Sequence, residues 1–280
     1  MEMKKLHIEK NTTQETLVIP LYARKLCTEL YPSLFKDPKA VSLIERLDYD
    51  FSLVEKQSEA LMQRFGALEV AMRQTDLALE VKEYLKEYPK AAVVNLGCGL
   101  DQTGENCDNG SCLIYNLDMP DVIEIRNQLI PAGDRQFNIA CDLNDTSWFR
   151  KIDASNGAVF FASGVFYYFK IEDAQKLINQ MAAAFPKGKL VFDSAGKMAL
   201  KMMLKTFIKQ AGIKNVNAFF HVGSIEKDLT PWLKNAKASS KGYMLGYNDL
   251  KDPGVSGFFR FLSHVGDGGM KMKIVRIDFE

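Results

Sequence analysis

No run of apolar residues in this sequence reaches the ~20 positions that a bilayer-crossing helix requires. The first residues, Met1 to Asn11, are polar and charged rather than a basic stub leading into an apolar stretch. The sequence therefore predicts neither membrane insertion nor export. Charge of one sign is lacking too, since 36 Lys and Arg against 35 Asp and Glu leave a net charge of +1. No global field is available to gather nucleic acid or an anionic membrane, so a small or neutral partner is expected. The densest basic group, Met198 to Lys209, has apolar residues between its charges and reads as a solvated helix face. Cysteine is sparse and odd in number: Cys27, Cys98, Cys107, Cys112 and Cys141. In a chain too long to need disulfide staples, that count predicts a reducing, cytoplasmic setting. Cys107 and Cys112 flank the turn-forming Asp108-Asn109-Gly110, but no second pair or nearby His completes a tetrahedral set, so no metal is expected. Histidine is limited to His7, His221 and His264, and repeats and low-complexity linkers are missing.

What is present is 280 residues with 47% hydrophobic and 25% charged content, near the upper limit for one hydrophobic core. Two textures divide the chain. Residues 1–90 read as a helical cap, with no block of β-branched residues before Ala91. In it Leu53, Leu61, Phe65, Leu68, Met72, Leu79 and Tyr84 recur at helical spacing ahead of Pro89, with Gly66 as a candidate break. Thr16 to Leu30 is a second helix candidate, and Asp37-Pro38 has the form of a helix start.

Residues 91–280 alternate short apolar runs with helical stretches, the pattern of a parallel sheet covered on both faces. Six or seven strands are expected, at Ala91 to Leu96, Cys112 to Leu117, Gln136 to Ala140, Gly157 to Ala162 and Lys189 to Phe192, with weaker segments at Ala218 to Val222, Ser240 to Leu245 and Met272 to Phe279. Helices are expected over Asp121 to Leu129, Glu172 to Ala184, Gly196 to Ala211, Ser224 to Asn235 and Val255 to His264, with Gly188 and Gly212 at turns out of helices.

The first of these strands runs directly into Gly97-Cys98-Gly99, a tight turn that lets a ligand approach bare backbone. An ordinary strand-to-helix turn has the same look, and the next strand adds to the case. It ends at Asp118, about 20 residues on, where a carboxylate beside the loop can accept both hydroxyl protons of a ribose. The third strand ends in Cys141-Asp142-Leu143, where Asp142 can bond an adenine amino group while Leu143 packs the ring. Helix capping competes there, because Asp142, Asn144 and Asp145 all precede Trp148. A nicotinamide dinucleotide wants a third glycine, G-x-G-x-x-G, where this chain has Gln102, with Gly104 two positions late. The balance favours S-adenosylmethionine.

The string Val94-Asn95-Leu96-Gly97-Cys98-Gly99-Leu100-Asp101, followed by Leu117-Asp118-Met119-Pro120-Asp121-Val122-Ile123, resembles the leucine carboxyl methyltransferase superfamily, which includes O-methyltransferases of polyketide biosynthesis. Ile19 to Arg24, Met72 to Asp76 and Phe161 to Phe169 resemble further family segments. The resemblance implies an α/β fold, a doubly wound, mostly parallel, Rossmann-like seven-stranded methyltransferase sheet with an N-terminal helical cap. It implies that Arg73 pairs with the methionine carboxylate of S-adenosylmethionine, with Arg24 a second candidate. The glycine loop, with Gly97 and Gly99, would lie along the methionine and ribose, Asp118 at the ribose hydroxyls, and Asp142 and Leu143 at adenine, with Met119 also among the cofactor-binding residues. Ser163 stands where the family usually carries Glu; it can accept from the cofactor's amino group but cannot balance its charge.

Methyl transfer from a sulfonium is an in-line displacement in which a dry pocket and an aimed nucleophile supply much of the rate. A carboxylate acceptor needs no base, so no catalytic residue is assigned. Tyr22, Arg24, Tyr167, Tyr168 and His221 are expected to line the acceptor site, the aromatics because a flat wall suits a planar substrate. The leading expectation is a small-molecule O-methyltransferase. The others are a carboxyl methyltransferase acting on a protein C-terminus and a cofactor-binding module without turnover.

Overall fold

The computed structural model describes residues 5–9, 17–58, 60–203 and 218–280. Thr16, the Leu53 side chain, the second half of the helix expected over Gly196 to Ala211, and Gly212 lie outside the described residues.

Ahead of the main sheet come strand β1 (Leu6–His7), helices α1 (Val18–Leu30) and α2 (Pro38–Glu45), strand β2 (Leu47–Asp48), and helices α3 (Ser52–Ser58) and α4 (Leu61–Glu87). The short β1 and β2, which pair in parallel, were not foreshadowed by any β-branched run. Then follow β3 (Ala92–Leu96), α5 (Thr103–Asn106), β4 (Leu113–Asp118), α6 (Pro120–Leu129), β5 (Gln136–Ala140), β6 (Ala158–Ala162), α7 (Ile171–Ala184) and β7 (Lys189–Ser194). The chain ends with α8 (Lys197–Met203), α9 (Ile225–Asp228), β8 (Ala236–Gly242), α10 (Gly257–Asp267) and β9 (Lys273–Phe279). The start of α2 shows how local sequence sets an element. Asp37 caps it by accepting from the Ala40 amide at 2.8 Å, and Pro38 occupies a first-turn position where no N–H is needed.

The seven-stranded sheet has the order β5-β4-β3-β6-β7-β9-β8. Strands β5 to β7 are parallel, and β9 is antiparallel to both of its neighbours. Alternate residues of the buried strands feed two cores. Ala92, Val94, Phe160, Ala162 and Leu190 pack with α7 and Trp148 on one face. Val93, Ile114, Val159, Phe161 and Val191 pack with Leu77, Val81 and Leu85 of α4 on the other. Both faces are covered, which is why these strands read as nearly unbroken apolar runs.

Four expectations are corrected. Gly66 does not break α4, which runs through it; the interruption falls near Ala60, before Leu61. On that helix Leu61 and Leu79 are exposed, at 51% and 44%, whereas Phe65, Leu68, Met72 and Tyr84 are buried. Ala218 to Val222 is not a strand. The Phe219 and Phe220 amides donate to the carbonyls of Tyr167 and Phe169, and the apolar run serves to bury Phe220 and Val222 in the core. The helix expected over Ser224 to Asn235 is the single turn α9; Pro231 lacks the N–H and the backbone freedom to continue it. Gly188 lies, as expected, in the turn out of α7, its amide donating to the Phe185 carbonyl at 3.0 Å, with Lys187 (φ 62°) the left-handed residue beside it.

Candidate functional site

Strand β3 lies between β4 and β6, so the chain direction across the sheet reverses there and opens a crevice at the carboxyl ends of these strands. The loop after β3 fills it. Gly97 (φ 65°) and Gly99 (φ 48°) both adopt the left-handed conformation. A Cβ on Gly97 would stand 2.6 Å from a Val165 methyl carbon, and one on Gly99 would stand 2.9 Å from Leu17. Only glycine fits either position.

Fixed charges hold the loop from both sides. Asp118, at the end of β4, accepts from the Gly99 amide through Oδ2 at 2.7 Å and from the Met119 amide through Oδ1 at 2.8 Å. Burial pushes its carboxyl above the usual range, against those two bonds. From below, the fully buried Arg126 of α6 donates to the carbonyls of Gly99 (3.0 Å) and Asp101 (2.6 Å) and pairs with Glu105 at 2.6 Å. From the side, Arg24 pairs with Asp37 at 3.0 Å and donates to the Leu100 carbonyl at 3.0 Å. Asp101 Oδ1 accepts from Gln74 of α4 and from Thr103, while Asp101 Oδ2 and Gln74 Oε1 are buried with no partner.

The crevice contains a cavity of about 370 Å³, within the range of small-molecule sites, roughly 300–1,000 Å³. Helix α4 presents to it a stripe at helical spacing: Gln63, Gly66, Glu69, Arg73 and, beside it, Gln74. Arg73 Nη1 pairs with Asp193 Oδ2 at 3.1 Å, and Asp193 Oδ1 accepts from the Gly164 amide at 2.6 Å. Burial works against the Arg73 charge, but Asp193 together with Tyr243 and Tyr167 outweighs it and the pKa is raised. Arg73 Nε is buried without a partner. Burial pushes Glu69 up to about 8, Arg73 opposing and Asp267 adding to the shift. Tyr167 and Tyr243 also line the cavity, and burial raises both phenols well above their ordinary value.

Of the residues singled out from sequence, Arg73, Gly97, Gly99, Asp118, Ser163, Tyr22, Arg24, Tyr167 and Tyr168 line this one cavity. Met119, Asp142, Leu143 and His221 are not among its lining residues. Met119 is 42% exposed beside Asp118. Asp142 is exposed at the end of β5, one strand over from Asp118, and accepts through Oδ1 from the Asn144 backbone and side-chain amides. The cap of the following 3₁₀ turn is Asp145, which accepts from Ser147. Leu143 is buried in the core near Trp148. His221 sits on the Phe219 carbonyl at 3.1 Å instead of facing the cavity, because the loop that carries it packs against the turn after β6. Sequence reasoning missed Glu69, Gln74, Arg126, Asp193 and Tyr243. Only the helical spacing of Glu69 and Gln74 around Arg73 was there to find.

All five cysteines are free, and among the described residues no group of three or more His, Cys, Asp or Glu side chains could hold a metal. Among them also, no helix is long and apolar enough to cross a membrane.

Comparison with known proteins adds to this geometry. The leucine carboxyl methyltransferase family model matches residues 18–182. The tetracenomycin polyketide synthesis O-methyltransferase TcmP of Streptomyces glaucescens is 28% identical over 181 residues, 64% of this chain and 65% of TcmP, so the match spans just under two thirds of that protein. A DUF574 family protein from Streptomyces avermitilis superposes with a TM-score of 0.64 at 10% identity, covering 95% of this chain and 97% of that one. A candidate methyltransferase from Thermobifida fusca does so with a TM-score of 0.61 at 14% identity, covering 92% and 94%. At these identities what is shared is the fold.

Proposed function

Because the chain belongs to the leucine carboxyl methyltransferase family, we propose that it transfers a methyl group from S-adenosylmethionine to an oxygen of a small-molecule hydroxyl or carboxylate. The observation that carries this reading is the buried, unpartnered Arg73 Nε beside a loop that admits only glycine at positions 97 and 99. A guanidinium with a free buried N–H is matched to a carboxylate, and the methionine end of the cofactor supplies one. The glycine cradle leaves backbone open to the ribose. Asp118 spends one lone pair of each oxygen on an amide and keeps others for the two ribose hydroxyls.

The residues present therefore fit the group. Arg73 holds the methionine carboxylate through its free Nε while its Nη1 stays on Asp193, and Ser163 accepts from the amino group. Met119, Asp142 and Leu143, at the ends of β4 and β5, are assigned to the outer, adenine edge; Asp142 has Oδ2 to offer there. Bound in this way, S-adenosylmethionine supplies an activated methyl group on a cationic sulfur. The chain's own task is to fix the reactants in line and to exclude water, and the apolar and aromatic walls Leu200, Met272, Tyr167 and Tyr243 do this.

A dinucleotide fits less well. Gly104 does make the close approach to β4 of a third glycine, its Cβ position lying 3.0 Å from Ile114. But α5 is one turn of four residues, too short to offer a pyrophosphate a helix N-terminus. The TcmP relationship favours an oxygen acceptor. Incubation with labelled S-adenosylmethionine and a panel of phenols, carboxylic acids and peptides ending in leucine tests the assignment. Label in a small acceptor is expected; label only in the peptides, or in nothing, would count against it.

A further inference from the structure

Three carboxylates line the cavity: Asp101, Asp118 and Glu69. The first two are committed to the glycine loop, through Gln74 and Thr103 and through two backbone amides. Glu69 is different. Among the described residues no hydrogen bond or ion pair engages its side chain, and its partly accessible surface opens into the cavity one helical turn from Arg73. Arg73 does not neutralise it, being paired with Asp193. The neighbouring carboxylate Asp267, at the end of α10, is occupied by the amides of Met244 and Leu245.

Neither a histidine nor a tyrosine supplies the base. His7 pairs with Asp48, His221 sits on the Phe219 carbonyl, and His264 on α10 is not among the lining residues. Tyr167 and Tyr243 are held as neutral phenols by burial.

Resting on the methyl-transfer reading above, the geometry points to Glu69 as a catalytic general base for a hydroxyl acceptor, an aromatic or enolic alcohol bound against Tyr243 with its O–H on the Glu69 carboxylate. In the step, the acceptor proton passes to a Glu69 oxygen and its bonding pair stays on the acceptor oxygen. That oxygen forms the new bond to the methyl carbon as the carbon–sulfur pair leaves on sulfur, and the proton is later released to solvent. The charged and titratable groups facing Glu69 are Arg73 on its own helix, Tyr243 after β8 and Asp267 on α10. Their sum with burial, a carboxyl at about 8, gives a base far closer to a phenol than an ordinary Glu.

The sign of the pH dependence separates this from a carboxylate acceptor, which would need Glu69 protonated as a hydrogen-bond donor. Full-length wild type, Glu69→Gln and Glu69→Asp are compared with labelled S-adenosylmethionine, a panel of phenols and a matched panel of carboxylic acids between pH 6 and 9.5. Transfer to phenols is expected to rise with pH to a plateau above about 8. Glu69→Gln is expected to lose about 10²- to 10⁴-fold in kcat/KM, with Glu69→Asp in between and S-adenosylhomocysteine affinity unchanged within a few fold. Without turnover, the trihydroxyanthraquinone emodin added to the S-adenosylhomocysteine complex is expected to show its ionised absorption band at higher pH with wild type than with Glu69→Gln, because a carboxylate beside the bound hydroxyl opposes the phenolate, as Glu69 does for Tyr243. Equal phenol transfer by Glu69→Gln, transfer to carboxylic acids alone, transfer to no phenol, or no difference in the emodin titration overturns the assignment. Loss of S-adenosylhomocysteine binding by wild type itself is a separate outcome that removes the methyl-transfer reading beneath it.

Discussion

Replacing Gly97 by Ala isolates two physical costs that the loop geometry sets. The first is conformational: at φ 65° a residue with a Cβ pays about 1–2 kcal/mol to sit in the left-handed region. The second is steric, because the new Cβ would lie 2.6 and 3.0 Å from the two Val165 methyl carbons, and overpacking of this kind costs about 1–3 kcal/mol. Gly97→Ala should therefore destabilise the fold by about 2–5 kcal/mol, a large share of the ~5–15 kcal/mol typical of a domain. The two parts separate when Val165 is also shortened. In Gly97→Ala with Val165→Ala the steric part vanishes and the conformational part remains, so the double variant should be about 1–3 kcal/mol more stable than the sum of the single effects. Urea unfolding of the four proteins with a common m value measures it. Additivity within about 0.5 kcal/mol would refute the idea that Val165 is what demands glycine there.

Arg126→Met strips the glycine loop of its buried clamp and leaves Glu105 without its counter-ion, with only Asn116 still donating to it. The expected loss is about 3–5 kcal/mol, with faster hydrogen exchange at the Gly99 to Asp101 amides; a loss under about 1 kcal/mol would show that the loop holds itself. Asp76 on α4 is fully buried, and burial raises its carboxyl from 3.8 to about 9, with Asp267 and Glu80 adding and the Asn248 bond and Lys241 opposing. Its folded value lies above the unfolded one, so the folded state holds a proton that the unfolded chain releases. That contribution is complete below about pH 4 and is lost as pH rises through about 9. Asp76→Asn should flatten the decline in stability measured by unfolding between pH 5 and 9. An unchanged slope would place its origin in Glu69 or Asp118, whose shifts have the same sign.

Strands β3, β4 and β6 could be read from sequence to within one position, because a strand buried on both faces must be apolar almost throughout; β5, the partly exposed edge strand, was also read, residue for residue. The glycine loop and Asp118 were legible for a related reason: a left-handed turn and a strand-end carboxylate are local requirements. Asp193 was not. The apolar run of β7 ends at Phe192, and nothing local says that the next residue turns inward to meet Arg73 from a helix 120 positions earlier. Glu69 was lost in the same way. On a helix packed against α1 on one side and the sheet on the other, the face that borders a cavity is decided by tertiary packing, and a charged residue there looks like any solvated position. His221 erred in the opposite direction, since an apolar stretch imitated a strand whose end would have reached the site.

Calorimetric titration of S-adenosylhomocysteine into wild type and Asp118→Asn bears most directly on whether this crevice is a methyl-donor site. Asn at 118 keeps the shape of the side chain while replacing one charged acceptor by a donor that faces an amide. Single-site binding in the micromolar range is predicted for wild type, weakened about 10- to 100-fold in the variant, as expected for the loss of ~1.5–3 kcal/mol of charge-assisted hydrogen bonding. No binding by wild type, equal binding by both proteins, or binding of NAD in its place would contradict it.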